Sequence, residues 1–211
     1  MPSHFFITGT DTGVGKTVVS ALLCAALDAI YWKPIQTGTR DGTDRAAVMR
    51  MAQLSGNRTV PESYRFSPPV SPHLASIRAG AKIELYKIRM PRIGPQDQLV
   101  AEGAGGVLVP INKRQLMVDL MSHLNVPVLL VSRTSLGTIN HTLLSLAALR
   151  SANLDIRGVV MVGKENRENR KAIEHYGRAP VVGLIPVLKH LNRDSLVKVF
   201  QKNFDRRAFS A

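Results

Sequence analysis

Gly9-Thr10-Asp11-Thr12-Gly13-Val14-Gly15-Lys16-Thr17 lies between an apolar run at 4–8 and a helix-patterned stretch at 16–27, and its reading decides the fold. Glycines let a backbone curl so that successive N–H groups face one anion, and a helix starting just behind adds the positive end of its dipole. Gly-Lys-Thr closing such a loop after a strand is a phosphate-loop signature. Lys16 can reach β- and γ-phosphate oxygens, and the Thr17 hydroxyl can ligate Mg²⁺. The strict pattern asks for glycine at position 10, where this chain has Thr10; Gly9 and Gly13 supply the flexibility.

Outward from the loop, short β-type runs alternate with helical stretches. The patterning predicts strands at 4–8, 30–34, 98–102, 126–132, 156–162 and 181–185, and an extended segment at 107–109. It predicts helices at 16–27, 44–54, 116–124, 138–150, 167–176 and 194–202, with Val18, Val19, Leu22, Leu23 and Ala26 on the buried side of the first. A Pro- and Ser-rich loop is expected at 56–72 and one or two short helices at 74–94. Strands separated by helices imply right-handed crossovers. The expected fold is therefore α/β: a single doubly wound, mainly parallel sheet with helices on both faces, of the P-loop NTPase type, forming one domain over 1–211. Ligands of such sheets lie beyond the carboxyl ends of the strands. The clusters at 9–17, 33–38 and 102–106 all follow strands, so they should meet at one edge.

Composition narrows the class. The 211 residues are 45% hydrophobic and 20% charged, which fits a chain with a real core and excludes a disordered one. No apolar run approaches the roughly 20 residues of a membrane span. Met1-Pro2-Ser3-His4 lacks the basic and apolar regions of a secretory leader. One cysteine, Cys24, excludes an internal disulfide framework and fits a reducing cytoplasm. The net charge of +13, from 28 Lys plus Arg against 15 Asp plus Glu, suits an anionic partner. Aromatics are only 5% and are not interleaved with the cations, so no specific nucleic-acid platform is expected, and no membrane contact.

The loop, Lys33-Pro34-Ile35-Gln36-Thr37-Gly38, Ser71-Pro72-His73, Glu102-Gly103-Ala104-Gly105-Gly106, Leu136-Gly137-Thr138-Ile139-Asn140-His141 and Gly183-Leu184-Ile185-Pro186 together resemble the dethiobiotin synthetase family, in the family's order and over nearly the whole chain. The resemblance implies an ATP-dependent carbon–nitrogen ligase of biotin biosynthesis. Such enzymes close the ureido ring of dethiobiotin from 7,8-diaminononanoate, CO₂ or bicarbonate and ATP with Mg²⁺, as homodimers with active sites near the interface. It implies Lys33, Lys16 and Thr12 as catalytic groups. Gly13, Val14, Gly15, Lys16, Thr17, Glu102, Gly183, Ile185 and Pro186 would bind ATP. Thr37, Lys33, Gly105 and Asn140 would bind the diamine or its carbamate, Asn140 across the dimer interface. Thr17, Asp44 and Glu102 would hold the metal. Glu102 ends a buried strand, where an unpaired carboxylate is costly, which independently asks for a cation. Asp44 could instead cap a helix, and Asp41 is close enough to compete for the metal role.

Two departures from the family pattern stand out. Asn is common at the end of the strand over 156–162, where it reads adenine; this chain has Val162 followed by Gly163. The segment before Lys33 is short, which predicts a trimmed sheet edge. Two rival functions remain. A cobyrinate-type amidating synthase would need a glutamine amidotransferase domain, for which the chain ends too early. A nucleotide switch of the partition or division-site type would carry a second lysine near the loop's start, where this chain has Asp11.

Overall fold

The computed structural model describes residues 4–209; Met1 to Ser3, most of the segment read for a leader, and the last two residues of the predicted domain lie outside them. Strands β1 (Phe5–Gly9), β2 (Ile30–Trp32), β4 (Thr59–Val60), β6 (Leu99–Glu102), β7 (Val128–Arg133), β8 (Ile156–Val162) and β9 (Val181–Ile185) form one sheet in the order β4-β2-β6-β1-β7-β8-β9. Every pairing in it is parallel. Two short strands, β3 (Ile35–Gln36) and β5 (Tyr64–Arg65), make a separate parallel ladder.

Alternation along the strands builds two cores. Phe6, Leu99, Ala101, Val128 and Leu130 face one way. Phe5, Ile7, Tyr31, Val100, Leu129 and Val131 face the other. Helices α1 (Lys16–Leu27), α2 (Asp44–Ala52) and α7 (Arg193–Asn203) cover the second face. Helices α3 (Pro72–Arg78), α4 (Met117–Leu124), α5 (Thr138–Ser151) and α6 (Arg167–Gly177) cover the first. Strands buried on both sides explain the continuous apolar run of β7. The sheet is doubly wound, and the chain passes from β6 to β7 across β1, so the loop after β1 opens beside a topological switch point.

Several expectations are corrected. Val18 and Ala26 are only half-buried, whereas Ser20 to Ala25 are buried all round because α2 and α7 cover the outer side of α1. The stretch at 107–109 opens on a turn at 107–108 instead of extending, with the Val109 N–H donating to Gly106 O at 3.3 Å and the Val107 carbonyl accepting from Val118 N–H at 3.0 Å. The 56–72 loop contains β4 and β5. As a result β2 is no trimmed edge: β4 pairs outside it, with Tyr31 opposite Thr59. Among the described residues no helix is long and apolar enough to cross a membrane.

Candidate active site

The phosphate loop runs from the end of β1 to the start of α1. Gly15 caps α1 at φ 105°, without a side-chain bond to the open N–H groups and without an acidic residue in the first turn. That helix end is free to meet an anion. A Cβ at Gly15 would sit in the left-handed region and 3.0 Å from Val162 Cγ1, so only glycine fits between the helix start and β8. Lys16 folds back over the loop, and its Nζ donates to the Asp11 carbonyl at 2.9 Å. Burial pushes the Lys16 ammonium down to about 8, with the Glu102 charge opposing. An incoming phosphate would add counter-charge to that of Glu102 and offset the cost of burial.

A tight polar cluster sits beside the loop, on the α1 side of the sheet. Lys33 Nζ lies 2.7 Å from Asp44 Oδ2 and 2.9 Å from Glu102 Oε1. Thr17 Oγ1 is 2.7 Å from Asp44 Oδ1 and 3.1 Å from Glu102 Oε1. Glu102 is 1% exposed and Lys33 5%, so two members of this ion triad are buried and Asp44, 28% exposed at its side chain, opens it to the cleft. Burial alone would lower the Lys33 pKa; Glu102 and then Asp44 outweigh it and raise the ammonium above its ordinary value. Asp44 is pushed up by burial, but Lys33 and the bonds from Thr17 and Gln36 hold it below the usual carboxylate range.

The local structure separates the two candidate aspartates. Thr43, not Asp44, caps α2: its Oγ1 accepts from Ala46 N–H at 3.1 Å, leaving the Asp44 carboxylate free for the cluster. Asp41 ends an exposed 3₁₀ turn (Thr39–Asp41) and stands outside the cluster. Two carboxylates converging on an ammonium, with one hydroxyl donating between them, are an oxygen set suited to a small divalent cation that brings most of its ligands as water and phosphate. Among the described residues no group of three or more His, Cys, Asp or Glu could make an all-protein metal site.

Lys33, Lys16, Thr12, Gly13, Gly15, Thr17, Thr37, Asp44, Glu102 and Gly105 line one cleft of about 810 Å³ at the carboxyl ends of β1, β2 and β6. Thr12 is exposed there, and its carbonyl accepts from Arg133 Nη2 at 3.2 Å. Ser71 and Pro72 form part of the far wall, whereas His73 turns to a neighbouring cavity. Five other singled-out residues stand apart from the cleft. Val14 is buried in the core. Gly183 lies within β9 beneath the Phe204 ring, where any Cβ would collide. Ile185 and Pro186 lie at the far carboxyl edge, with the Ile185 carbonyl taken by Gly163 N–H at 2.9 Å. Asn140 is exposed on the first turn of α5, which Gly137 caps, so Asn140 is no N-cap.

Three contributors were not singled out from the sequence. Ser20 Oγ and Tyr31 OH donate to Glu102 Oε2 at 2.8 and 3.0 Å. Gln36 accepts from the Asp44 N–H at 3.0 Å and donates to Thr37 O at 2.7 Å, tying the two walls of the cleft together. Spacing held a signal for the first two. Ser20 is three residues after Thr17 on one helical face, and Tyr31 is two before Lys33 on one strand face. Burial and the Glu102 charge raise the Tyr31 hydroxyl well above its ordinary pKa, so it remains a donor.

Parallel sheet, switch-point loop and buried carboxylates beside Lys16 and Thr17 define a P-loop nucleotide-binding protein. An AAA-domain family model matches residues 3–195. The chain is 46% identical over 210 residues to the ATP-dependent dethiobiotin synthetase BioD of Rhodopseudomonas palustris, covering 99% of this chain and 97% of that one. It is 45% identical over 204 residues to the protein of that name from Brucella melitensis, covering 97% and 95%. The chain belongs to the ATP-dependent dethiobiotin synthetase family. Solved structures sharing its fold include a ParA-family ATPase from Chlorobium tepidum (TM-score 0.54, 15% identity, 95% and 93% covered). Another is the septum site-determining protein MinD from Pyrococcus horikoshii (TM-score 0.53, 16% identity, 94% and 86% covered). At such identities the likeness concerns the fold alone.

Proposed function

We propose that the chain is a cyclic-urea-forming ligase in the cytoplasm, acting as a single catalytic unit on 7,8-diaminononanoate, CO₂ and ATP. One substrate amine captures CO₂ as a carbamate. A carbamate oxygen attacks the γ-phosphorus, releasing ADP and forming a carbamic–phosphoric anhydride. The second amine then attacks the carbonyl and expels phosphate, leaving dethiobiotin. The observation that carries this reading is the Lys33–Asp44–Glu102 triad beside the phosphate loop, in a chain whose family is named for the reaction.

Negative charge gathers where carbamate meets phosphate, and positioned cations there lower the barrier most. Lys16 would hold the transferring phosphoryl group and Lys33 would face both reacting oxygens. The Thr12 and Thr37 hydroxyls and the Gly105 backbone would orient the carbamate. Thr17, Asp44 and Glu102 would hold Mg²⁺, which when bound supplies charge neutralisation at the phosphates. ADP release should therefore require diamine and bicarbonate together; release in the absence of both, stimulated by DNA or lipid, would favour the nucleotide-switch reading.

We further propose a homodimer with shared sites. Asn140 is exposed and does not line its own cleft, and the wholly exposed Leu136 and 62% exposed Leu144 stand four residues before and after it in the chain. In that arrangement a site combines Lys33 of one copy with Asn140 of the other. Mixing Lys33→Ala and Asn140→Ala proteins should then restore about a quarter of wild-type activity at low diamine, because half of randomly formed dimers carry one intact site. No recovery after subunit exchange would place Asn140 outside the partner's site.

Base selectivity should be loose. Val162 spends its side chain on Gly15, and the nearby amides are committed: Asn166 Oδ1 accepts from Asn169 N–H at 2.9 Å and Asn169 Nδ2 donates to Thr134 O at 3.0 Å. A bidentate amide contact to a base edge discriminates by about 1–3 kcal/mol, and valine offers none. ATP is expected to be used, with GTP and CTP rejected only weakly, and Val162→Asn should widen the gap in kcat/KM. A wild-type protein already strict for ATP, and unmoved by the substitution, would mean backbone groups read the base.

A further inference from the structure

We propose that Ser20 and Tyr31 are positioning residues for the ligase reaction, dividing the two oxygens of Glu102 between a fixed anchor and an exchangeable ligand. The proposal rests on the reading above for the reaction served, but its structural basis is independent of the substrate. Glu102 Oε2 accepts from Ser20 Oγ at 2.8 Å and Tyr31 OH at 3.0 Å, and both donors are wholly buried. Oε1 faces Lys33 Nζ at 2.9 Å and Thr17 Oγ1 at 3.1 Å. A carboxylate accepts about four hydrogen bonds; Oε2 takes two full donors, whereas Oε1 takes Lys33 and only a share of the Thr17 hydroxyl hydrogen, which lies nearer Asp44 Oδ1 at 2.7 Å.

The two anchors come from different elements, Ser20 from α1 and Tyr31 from β2, so the carboxylate plane is fixed against both the covering helix and the adjacent strand. Without them its terminal torsion is soft, since that rotation is broad and roughly two-fold. The partners of Oε1 are of another kind. Lys33 is a cation on a flexible stem and Asp44, its second partner, is 28% exposed at the side chain, so this contact can be given up when another cation arrives. Thr17, Asp44 and Glu102 then present their oxygens without rearranging, and Lys33 is released towards the reacting oxygens. Mg²⁺ demands near-ideal geometry, so a carboxylate that rocks is a poor ligand for it. Groups that orient metal ligands typically change metal affinity by about 10–100-fold when removed.

Tyr31→Phe removes one oxygen and leaves the ring in its place; Ser20→Ala does the same on the helix side. Mn²⁺ affinity would be read by electron paramagnetic resonance in the presence of a non-hydrolysable ATP analogue, with no diamine needed. Each variant should weaken Mn²⁺ binding by about tenfold. In turnover, half-saturating Mg²⁺ should rise by a similar factor, while at saturating Mg²⁺ kcat is largely recovered and the diamine KM is unchanged. Wild-type Mn²⁺ affinity in both variants, with only a lower melting temperature or a lower kcat that Mg²⁺ does not rescue, would overturn the proposal and leave the two hydroxyls a packing role. Should one variant fail to fold, the other carries the same test. If metal affinity falls as expected but the wild-type chain makes no cyclic urea, the functional reading fails and the anchoring role stands. If urea is made and metal affinity does not move, the reverse holds.

Discussion

Lys33→Ala is expected to lower the rate of urea formation by at least about 10²-fold, the scale on which removal of a positioned charge-stabilising group acts. Lys33 is the cation that touches both cluster carboxylates, and it follows β2 directly in the lining of the cleft. The loss should appear in kcat as well as kcat/KM, because the ammonium is wanted most where carbamate and phosphate charges meet. A second effect follows from the burial. Removing one partner of a buried ion pair costs about 3–5 kcal/mol, less here because Asp44 is partly open to water. The variant should therefore melt lower in metal-free buffer and regain more stability from Mg²⁺ than the wild type does. Lys33→Arg should not restore the rate, since a planar fork cannot place one point charge between two oxygens. Near-normal turnover in Lys33→Ala would remove Lys33 from the chemistry.

Glu102→Gln should produce the next largest effect, and one of a different kind. The substitution keeps the shape of a side chain that is 1% exposed but removes its charge. It also puts an amide NH₂ where the neighbours are donors: Ser20, Tyr31 and Lys33 point hydrogens at this carboxylate, and Thr17 shares its single hydroxyl hydrogen between it and the nearer Asp44. At least one buried donor is left unmatched, at about 1–3 kcal/mol. The Mg²⁺ concentration needed for half-maximal turnover should rise by at least about tenfold, with the diamine KM little changed. Asp44→Asn should resemble it more weakly, and Asp41→Asn should not, because Asp41 stands outside the cluster. A metal defect in the Asp41 variant instead would relocate the second carboxylate.

Strong periodicity carried much of the architecture in the sequence. The bounds of α1, β8 and β9 match the patterned stretches at 16–27, 156–162 and 181–185. The phosphate loop could be read because its signal is local: glycines, a lysine and a hydroxyl within nine residues, between a strand and a helix. The two-residue strands β3, β4 and β5 could not, since two residues hold no period to detect. Nor could the all-round burial of α1, which depends on α2 and α7 lying against its outer face. The same limit governs the site. That Glu102 needs a cation follows from its place at the end of an apolar strand. That Ser20 and Tyr31 hold its other oxygen depends on contacts across 82 and 71 residues of chain, which only the strand order brings together. The sequence favoured Asp44 and left Asp41 as a competitor; that Thr43 rather than Asp44 caps α2 shows only in the structure.

The most direct measurement is isotopic. Purified protein would be incubated with 7,8-diaminononanoate, ¹³C-bicarbonate and Mg·ATP, and the products followed by ¹³C NMR and mass spectrometry. The account predicts one labelled urea carbonyl in a cyclic product, formed in equal amount with ADP and phosphate, and no product when ATP is omitted. ADP accumulating without a labelled urea carbon, at the same rate with and without the diamine, would contradict it.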